Sequence, residues 1–137
     1  MKPKKGKYEY LPHTADAKVR AYGKTREEQF TNAALAVANI MFDPEKIKAK
    51  IEKKISAEGN DEKQLLCNWL QQFLILLDAE SFILHSIKKI EIKGKKLDAV
   101  VTGDKYDDKY ETLGSVKAVT YNHMEIKDDC VEFVLDL

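Results

Sequence analysis

Two periodicities alternate along this chain of 137 residues, and their order limits the folds that it can adopt. Apolar residues recur at helical spacing in two stretches and alternate with polar residues in the segments between and after them. The first helical stretch follows Thr25 and reaches Met41, and the second follows Asp61 and ends near residues 78–80. The pattern predicts an α+β fold: a mainly antiparallel sheet with two long helices packed on it, in two rounds of strand, helix and strands.

Both helical stretches begin with a capping signal. Thr25 precedes Glu28 by three residues, and Asp61 precedes Gln64 by the same interval, so in each pair the first side chain can cap the helix and the second can reach back. The second stretch carries a broad apolar stripe, from which we expect it to be the most buried helix of the protein. The stripe consists of Leu65, Leu66, Trp69, Leu70, Phe73, Leu74, Leu76 and Leu77.

Segments of period two predict the strands. They lie at about residues 7–11, 17–22, 47–58, 82–84, 88–93, 97–101, 116–121, 124–126 and 131–135. Gly94-Lys95 and Asp128-Asp129 are predicted as hairpin turns. Residues 104–115 are predicted as a charged loop. Its carboxylates lack the spacing of a calcium-binding EF-hand loop, so we expect them to be solvated or to face a partner.

Length and charge exclude several classes of protein. The length fits one domain, residues 1–137, with residues 1–6 as a flexible basic tail. The 23 basic and 23 acidic residues cancel, which argues against a protein that works mainly by binding a nucleic-acid backbone, DNA included. No apolar run is long enough to span a membrane. The two cysteines form no CxxC pair, so we expect a reduced, cytoplasmic protein.

Four blocks, in order and spread over the whole chain, carry a family resemblance: His13-Thr14-Ala15-Asp16 with Gly23, the helix entry 25–30, the strand 116–121, and the final Leu135-Asp136-Leu137. With these blocks the chain resembles the archease family. The resemblance implies a small cytosolic accessory protein of RtcB-type RNA ligases, which join RNA ends in transfer-RNA splicing with GTP and a divalent metal. It implies an activator that promotes guanylylation and multiple turnover of the ligase, and that is not itself an enzyme.

The resemblance also implies a metal site. Its ligands would be Asp16, Asp136 and the main-chain carboxyl group of Leu137. Three carboxylates close together repel one another unless a cation intervenes, and ligation by oxygen alone favours Ca²⁺, Mg²⁺ or Mn²⁺ over zinc. The last strand is apolar to its end, which predicts that this segment is docked.

Two further residues are candidates for supporting roles. His13 either holds Asp16 by a hydrogen bond, ligates a softer metal or is a structural histidine. Lys117 is predicted in mid-strand, either as a solvated lysine or as a contact to the ligase or its nucleotide. Departures from the family pattern fall elsewhere: Lys18 replaces a usual glycine, Tyr110 stands where a histidine is common, and Asn122 precedes His123 where the family has histidine directly.

Two other functions compete with the accessory role. One is an independent metal-dependent hydrolase of phosphoesters built on Asp16, His13 and Asp136, although no separate general base is evident. The other is a chaperone-like interaction module that needs no metal. Neither a P-loop nor a nucleophile motif occurs in the sequence, so GTP chemistry by this chain alone is not expected. Contact with the RNA substrate would be indirect.

Overall fold

The computed structural model describes residues 6–12, 16–107 and 109–137. The helices are α1, Arg26–Met41, and α2, Glu62–Glu80, with a short 3-10 helix at Pro44–Lys46. The strands are β1, Tyr8–Leu11; β2, Ala17–Tyr22; β3, Ile51–Glu58; β4, Phe82–Lys93; β5, Lys96–Lys105; β6, Ala118–Ile126; and β7, Cys130–Asp136. The predicted α+β fold with two long helices and antiparallel sheet is confirmed. The predicted tail falls mostly on residues 1–5, which lie outside the described residues.

The strands form two antiparallel sheets. The order in the four-stranded sheet is β1-β2-β7-β6, and in the three-stranded sheet it is β3-β5-β4. The first sheet thus pairs strands from the two ends of the chain, because β2 lies directly beside β7. Both helices contact strands of both sheets, so a common core lies between them.

The helix ends follow the predicted capping signals. The N–H of Glu28 donates to the Thr25 hydroxyl at 3.1 Å, and the N–H of Gln64 donates to Asp61 at 2.8 Å. The Gln64 side chain reaches back to the N–H of Asn60 at 2.6 Å. These bonds satisfy N–H groups of the first helical turn that lack a partner within the helix.

The expectation that α2 is the most buried helix is wrong. Ten of the sixteen residues of α1 are buried, against six of the nineteen in α2. The small alanines of α1 let it lie close to both sheets, whereas the C-terminal half of α2 leaves its leucines partly exposed and Ile75 54% exposed. Trp69 of α2 joins the two helices, since its indole N–H donates to the carbonyl of Phe30 at 2.9 Å.

Two strands are longer than predicted because irregularities interrupt their alternation. The predicted segments 82–84 and 88–93 are one strand, β4, with shifts of register between Leu84 and Ser86 and between Ile87 and Lys89. The predicted segments 116–121 and 124–126 likewise join, from residue 118 onward, in one strand, β6, irregular between Thr120 and Glu125. His123 there has a φ of 67°. A bulge adds residues to one strand, which breaks the period of two in the sequence.

Candidate functional site

Strands β2 and β7 bring Asp16 and Asp136 side by side. Their ladder ends at the pair Ala17 and Leu135; Asp136 is the next residue of β7, and Asp16 directly precedes β2. Opposed residues of antiparallel strands have Cβ atoms about 5 Å apart. Leu135 is buried in the core, so by strand alternation Asp136 belongs to the outer face of the sheet.

Among the described residues, neither aspartate has a hydrogen-bond or ion-pair partner for its carboxylate. Asp136 is exposed and Asp16 half-buried. Two neighbouring carboxylates repel each other, and a cation between them would relieve that repulsion.

The segment after β7 is docked at the same place, as predicted. The carbonyl of Asp136 accepts a hydrogen bond of 2.7 Å from the N–H of Lys117, and the Leu137 side chain packs partly buried against the core. Leu137, whose main-chain carboxyl group is the third predicted ligand, directly follows Asp136. We call Asp16, Asp136 and this carboxyl group the carboxylate corner.

Of the two residues predicted to have supporting roles, His13 and Lys117, the structure describes only Lys117. His13 lies outside the described residues. Lys117 lies directly before β6 rather than in mid-strand, and it is exposed. The backbone N–H of Lys117 donates to the carbonyl of Asp136, so Lys117 lies beside the carboxylate corner. This hydrogen bond does not involve the Lys117 side chain.

The donors of the carboxylate corner fit a hard cation. Over residues 6–12, 16–107 and 109–137, no three side chains of His, Cys, Asp or Glu group as a metal site. The predicted ligands, two side-chain carboxylates and one main-chain carboxyl group, are oxygen donors alone. Such a set suits Ca²⁺, Mg²⁺ or Mn²⁺ better than zinc, which prefers nitrogen and sulfur.

A buried glutamate with three cations lies on the same face and was not identified from the sequence. Glu132 is 3% exposed, and its Oε2 accepts from Arg20 at 2.8 Å and from Lys127 at 3.1 Å. The Lys18 ammonium lies 3.8 Å from its Oε1. Burial disfavours the carboxylate form, but the bonds from Arg20 and Lys127 outweigh burial and hold the pKa of Glu132 below its ordinary value. The sequence offered one signal for this buried site: Glu132 is a charged residue inside the apolar run of β7.

A second buried carboxylate corrects the prediction for the charged loop. Asp104 belongs to β5 and is 6% exposed, so it is not a solvated loop residue. Its Oδ2 accepts a hydrogen bond of 2.6 Å from the Tyr110 hydroxyl. That bond and the N–H of Lys105 lower the pKa of Asp104. Tyr110 therefore anchors the connection between β5 and β6.

A cavity of about 410 Å³ lies beside this anchor, between the end of α1, the 3-10 helix and the β5–β6 connection. Its lining mixes apolar, acidic and basic side chains and includes Asn39, Asp43, Lys46, Tyr110, Glu111 and Leu113. Of the predicted site residues that the structure describes, namely Asp16, Lys117, Asp136 and Leu137, none lines it. Within the described part of the chain, no helix is both long and apolar enough to cross a membrane.

Comparison with known proteins gives consistent results. The sequence profile of the archease protein family matches residues 8–137. The chain is 41% identical to protein archease of Methanosarcina barkeri over 126 residues, covering 87% of this chain and 85% of the relative. It is 37% identical to protein archease of Pyrobaculum calidifontis, covering 98% and 97%.

Solved structures agree with the fold. The solution structure of protein 1598 of Methanobacterium thermoautotrophicum superposes with a TM-score of 0.80 at 32% identity, covering 95% of this chain and 98% of that one. The crystal structure of a Thermotoga maritima protein, described as an archease and possible chaperone, superposes with a TM-score of 0.54 at 18% identity over 91% of each chain. The second likeness concerns the fold alone.

Proposed function

Because this chain belongs to the archease family, we propose that it is a cytoplasmic accessory protein of an RtcB-type RNA ligase in transfer-RNA splicing. In this role it promotes the GTP-dependent guanylylation of the ligase and its multiple turnover, without being a catalyst itself. One structural observation supports the proposal most directly. It is the β2–β7 register, in which Ala17 pairs with Leu135, the residues that adjoin Asp16 and Asp136 in the chain.

The proposed metal ligands are Asp16, Asp136 and the main-chain carboxyl group of Leu137. A divalent ion held there supplies concentrated positive charge that can meet phosphate oxygens of a partner's nucleotide. Two features of the backbone support this ligand set: Ala17, next to Asp16, pairs with Leu135 in the β2–β7 ladder, and the Lys117 N–H donates to the carbonyl of Asp136. His13 is proposed to orient Asp16, and the exposed Lys117 side chain to contact the ligase or its nucleotide.

The accessory protein acts through differential binding. A partner changes the rate or equilibrium of an enzyme only if it binds one of the enzyme's states more tightly than the others. We therefore propose that the chain docks transiently with its carboxylate corner near the entrance of the ligase active site. There it favours the conformation of the ligase that reacts with GTP.

The test is a multiple-turnover RNA ligation assay with the cognate ligase, GTP and Mn²⁺. It compares the unmodified protein with Asp16→Ala, Asp136→Ala and the control Asp78→Ala, an exposed aspartate near the end of α2. We expect stimulation by the unmodified protein and the control, and loss of stimulation in both site variants. Thermal unfolding of each variant shows whether it remains folded.

Other outcomes separate the competing functions. A folded, unmodified protein that gives no stimulation would exclude the accessory role. Full stimulation by both site variants would be consistent with a chaperone-like interaction module that needs no metal. It would exclude the mechanism in which the carboxylates hold a metal ion. Hydrolysis of a phosphoester by the protein alone, lost in Asp16→Ala, would instead identify an independent hydrolase.

A further inference from the structure

The cavity of about 410 Å³ beside Tyr110 has the size of a pocket for a small ligand. Hydrogen bonds hold its walls in place. The Tyr110 hydroxyl donates to Asp104 and accepts from the N–H of Lys48. On the other side, the N–H of Leu113 donates to the carbonyl of Met41 at 2.8 Å. A ligand would therefore meet a largely preformed cavity, and little of its binding free energy would be lost in ordering the walls.

The lining of the cavity combines an apolar interior with a charged mouth. The buried lining residues are Ile40, Ile47 and Tyr110, the half-buried ones are Asn39 and Asp43, and the exposed ones are Lys46, Glu111 and Leu113. The buried members are thus aliphatic or aromatic, whereas two of the three exposed members carry a charge. Such a lining suits a molecule with methylene groups in its middle and charges toward its ends.

Three charged side chains line this cavity without neutralising one another. Among residues 6–12, 16–107 and 109–137, the Lys46 ammonium forms no ion pair with Asp43, Glu111 or any other carboxylate. In the same part of the chain, the Glu111 side chain has no hydrogen bond or ion pair. Asp43 accepts one hydrogen bond, of 3.1 Å from the N–H of Glu45 to Oδ1, and no cation pairs with it there. Two carboxylates and one ammonium are thus available to a bound molecule.

We propose that this cavity binds a free basic amino acid, arginine or lysine. Such a molecule carries two cationic groups and one carboxylate, the inverse of the charges that line the cavity. Asp43 and Glu111 pair with the two cationic groups, and Lys46 pairs with the carboxylate. The methylene groups of the ligand pack against Ile40 and Ile47. This inference does not rest on the proposed function.

The same lining disfavours other small ligands. The two carboxylates and one ammonium leave the cavity with a net charge of −1, which repels a nucleotide with its several negative charges. A fatty acid would leave both carboxylates without a partner. A diamine would leave Lys46 without one and would bring a like charge close to it.

The experiment is a calorimetric titration of the full chain with L-arginine and L-lysine at neutral pH and low ionic strength. Three analogues of arginine each lack one charged group. Citrulline replaces the guanidinium by a neutral urea, agmatine lacks the carboxylate, and N-acetylarginine lacks the α-ammonium. We expect each analogue to bind at least about threefold more weakly than arginine, because each leaves one charge of the cavity unpaired.

Substitutions assign the charges to residues. Asp43→Asn preserves a capping side chain for the 3-10 helix and removes the charge, and we expect it to weaken arginine binding about tenfold. Glu111→Gln acts at an exposed position and should weaken it about threefold. The matched control is Glu58→Gln, an exposed glutamate of β3 that does not line the cavity, and its affinity should be unchanged.

Lys46→Met tests the pairing with the ligand carboxylate. It should weaken the binding of arginine, but it should not weaken the binding of agmatine, which has no carboxylate. Thermal unfolding without ligand shows whether each variant remains folded. This comparison separates a lost ion pair from a distorted cavity, because distortion would weaken the binding of both molecules.

The outcomes are distinguishable from those of the ligation assay, which is run without added amino acid. If neither arginine nor lysine binds at millimolar concentration, the inference fails and the proposed function is unaffected. Equal affinity for arginine and citrulline would overturn the assigned charge pairing. Unchanged arginine binding by both Asp43→Asn and Glu111→Gln would place the binding site elsewhere and would also overturn the inference.

Discussion

The Tyr110 hydroxyl donates a hydrogen bond of 2.6 Å to Oδ2 of Asp104, and both residues are nearly excluded from solvent. The same hydroxyl accepts from the N–H of Lys48 at 3.3 Å. The bond ties the connection after β5 to the sheet. That connection continues through Leu113, whose N–H donates to the carbonyl of Met41, to Lys117 at the carboxylate corner. Tyr110 thus fixes one end of a segment whose other end holds the proposed metal site.

Tyr110→Phe should destabilise the protein by about 2 kcal/mol, because it removes a hydrogen bond to a buried carboxylate. Urea unfolding at neutral pH measures the change. Tyr121→Phe is the matched control, since Tyr121 also bonds to an aspartate, Asp61 at 3.3 Å, but is 45% exposed. Its effect should stay below about 0.5 kcal/mol. If the two variants lost the same free energy of unfolding, burial of the hydrogen bond would not explain its contribution to stability.

Acid should lower the free energy of unfolding through Asp104 and Glu132. The pKa of each carboxyl is depressed in the folded protein, below ordinary values of 3.8 and 4.5. The unfolded chain therefore binds more protons as the pH falls through these values, and stability is lost from about pH 4.5 downward. Urea unfolding at a series of pH values should show a plateau above this window. A flatter decline is expected for Glu132→Gln, and an unchanged decline would argue against the role of Glu132.

Glu132→Ala should be far more damaging than a neighbouring surface substitution. It leaves the side chains of Arg20 and Lys127 without their shared buried partner, which costs about 3 kcal/mol. Glu125 also pairs with Lys127, at 3.4 Å, but its side chain is 57% exposed. Glu125→Ala should therefore cost no more than about 0.5 kcal/mol. Chemical denaturation of both variants checks the difference, and similar values would show that the Glu132 pairs contribute little.

Lys117→Met should lower the stimulation of the ligase without loss of stability. The side chain is exposed, and the bond that holds the main chain at Asp136 comes from the backbone N–H. Lys89→Met on β4 is the control, since Lys89 is also exposed but belongs to the other sheet. Ligation rates and thermal unfolding are measured together. Stimulation by Lys117→Met at the level of the control would assign Lys117 to the solvated surface.

The periodicity of the sequence was sufficient to predict most helices and strands. It failed for features that the local pattern of residues does not determine. The caps at Thr25 and Asp61 act within one turn, so they could be recognised from neighbouring residues. The bulges of β4 and β6 break the period of two and made single strands look like pairs of segments. The relative burial of α1 and α2 was misjudged because it depends on how two sheets enclose each helix.

The sequence by itself determined the two amphipathic helices, the antiparallel strands and the family blocks around Asp16 and Asp136, since these depend on residue order and spacing. Tertiary structure alone decided that β2 lies beside β7, which joins residues more than a hundred positions apart. It also decided the partners of Glu132 and Asp104, because burial and charge compensation depend on side chains that meet only after the sheets form.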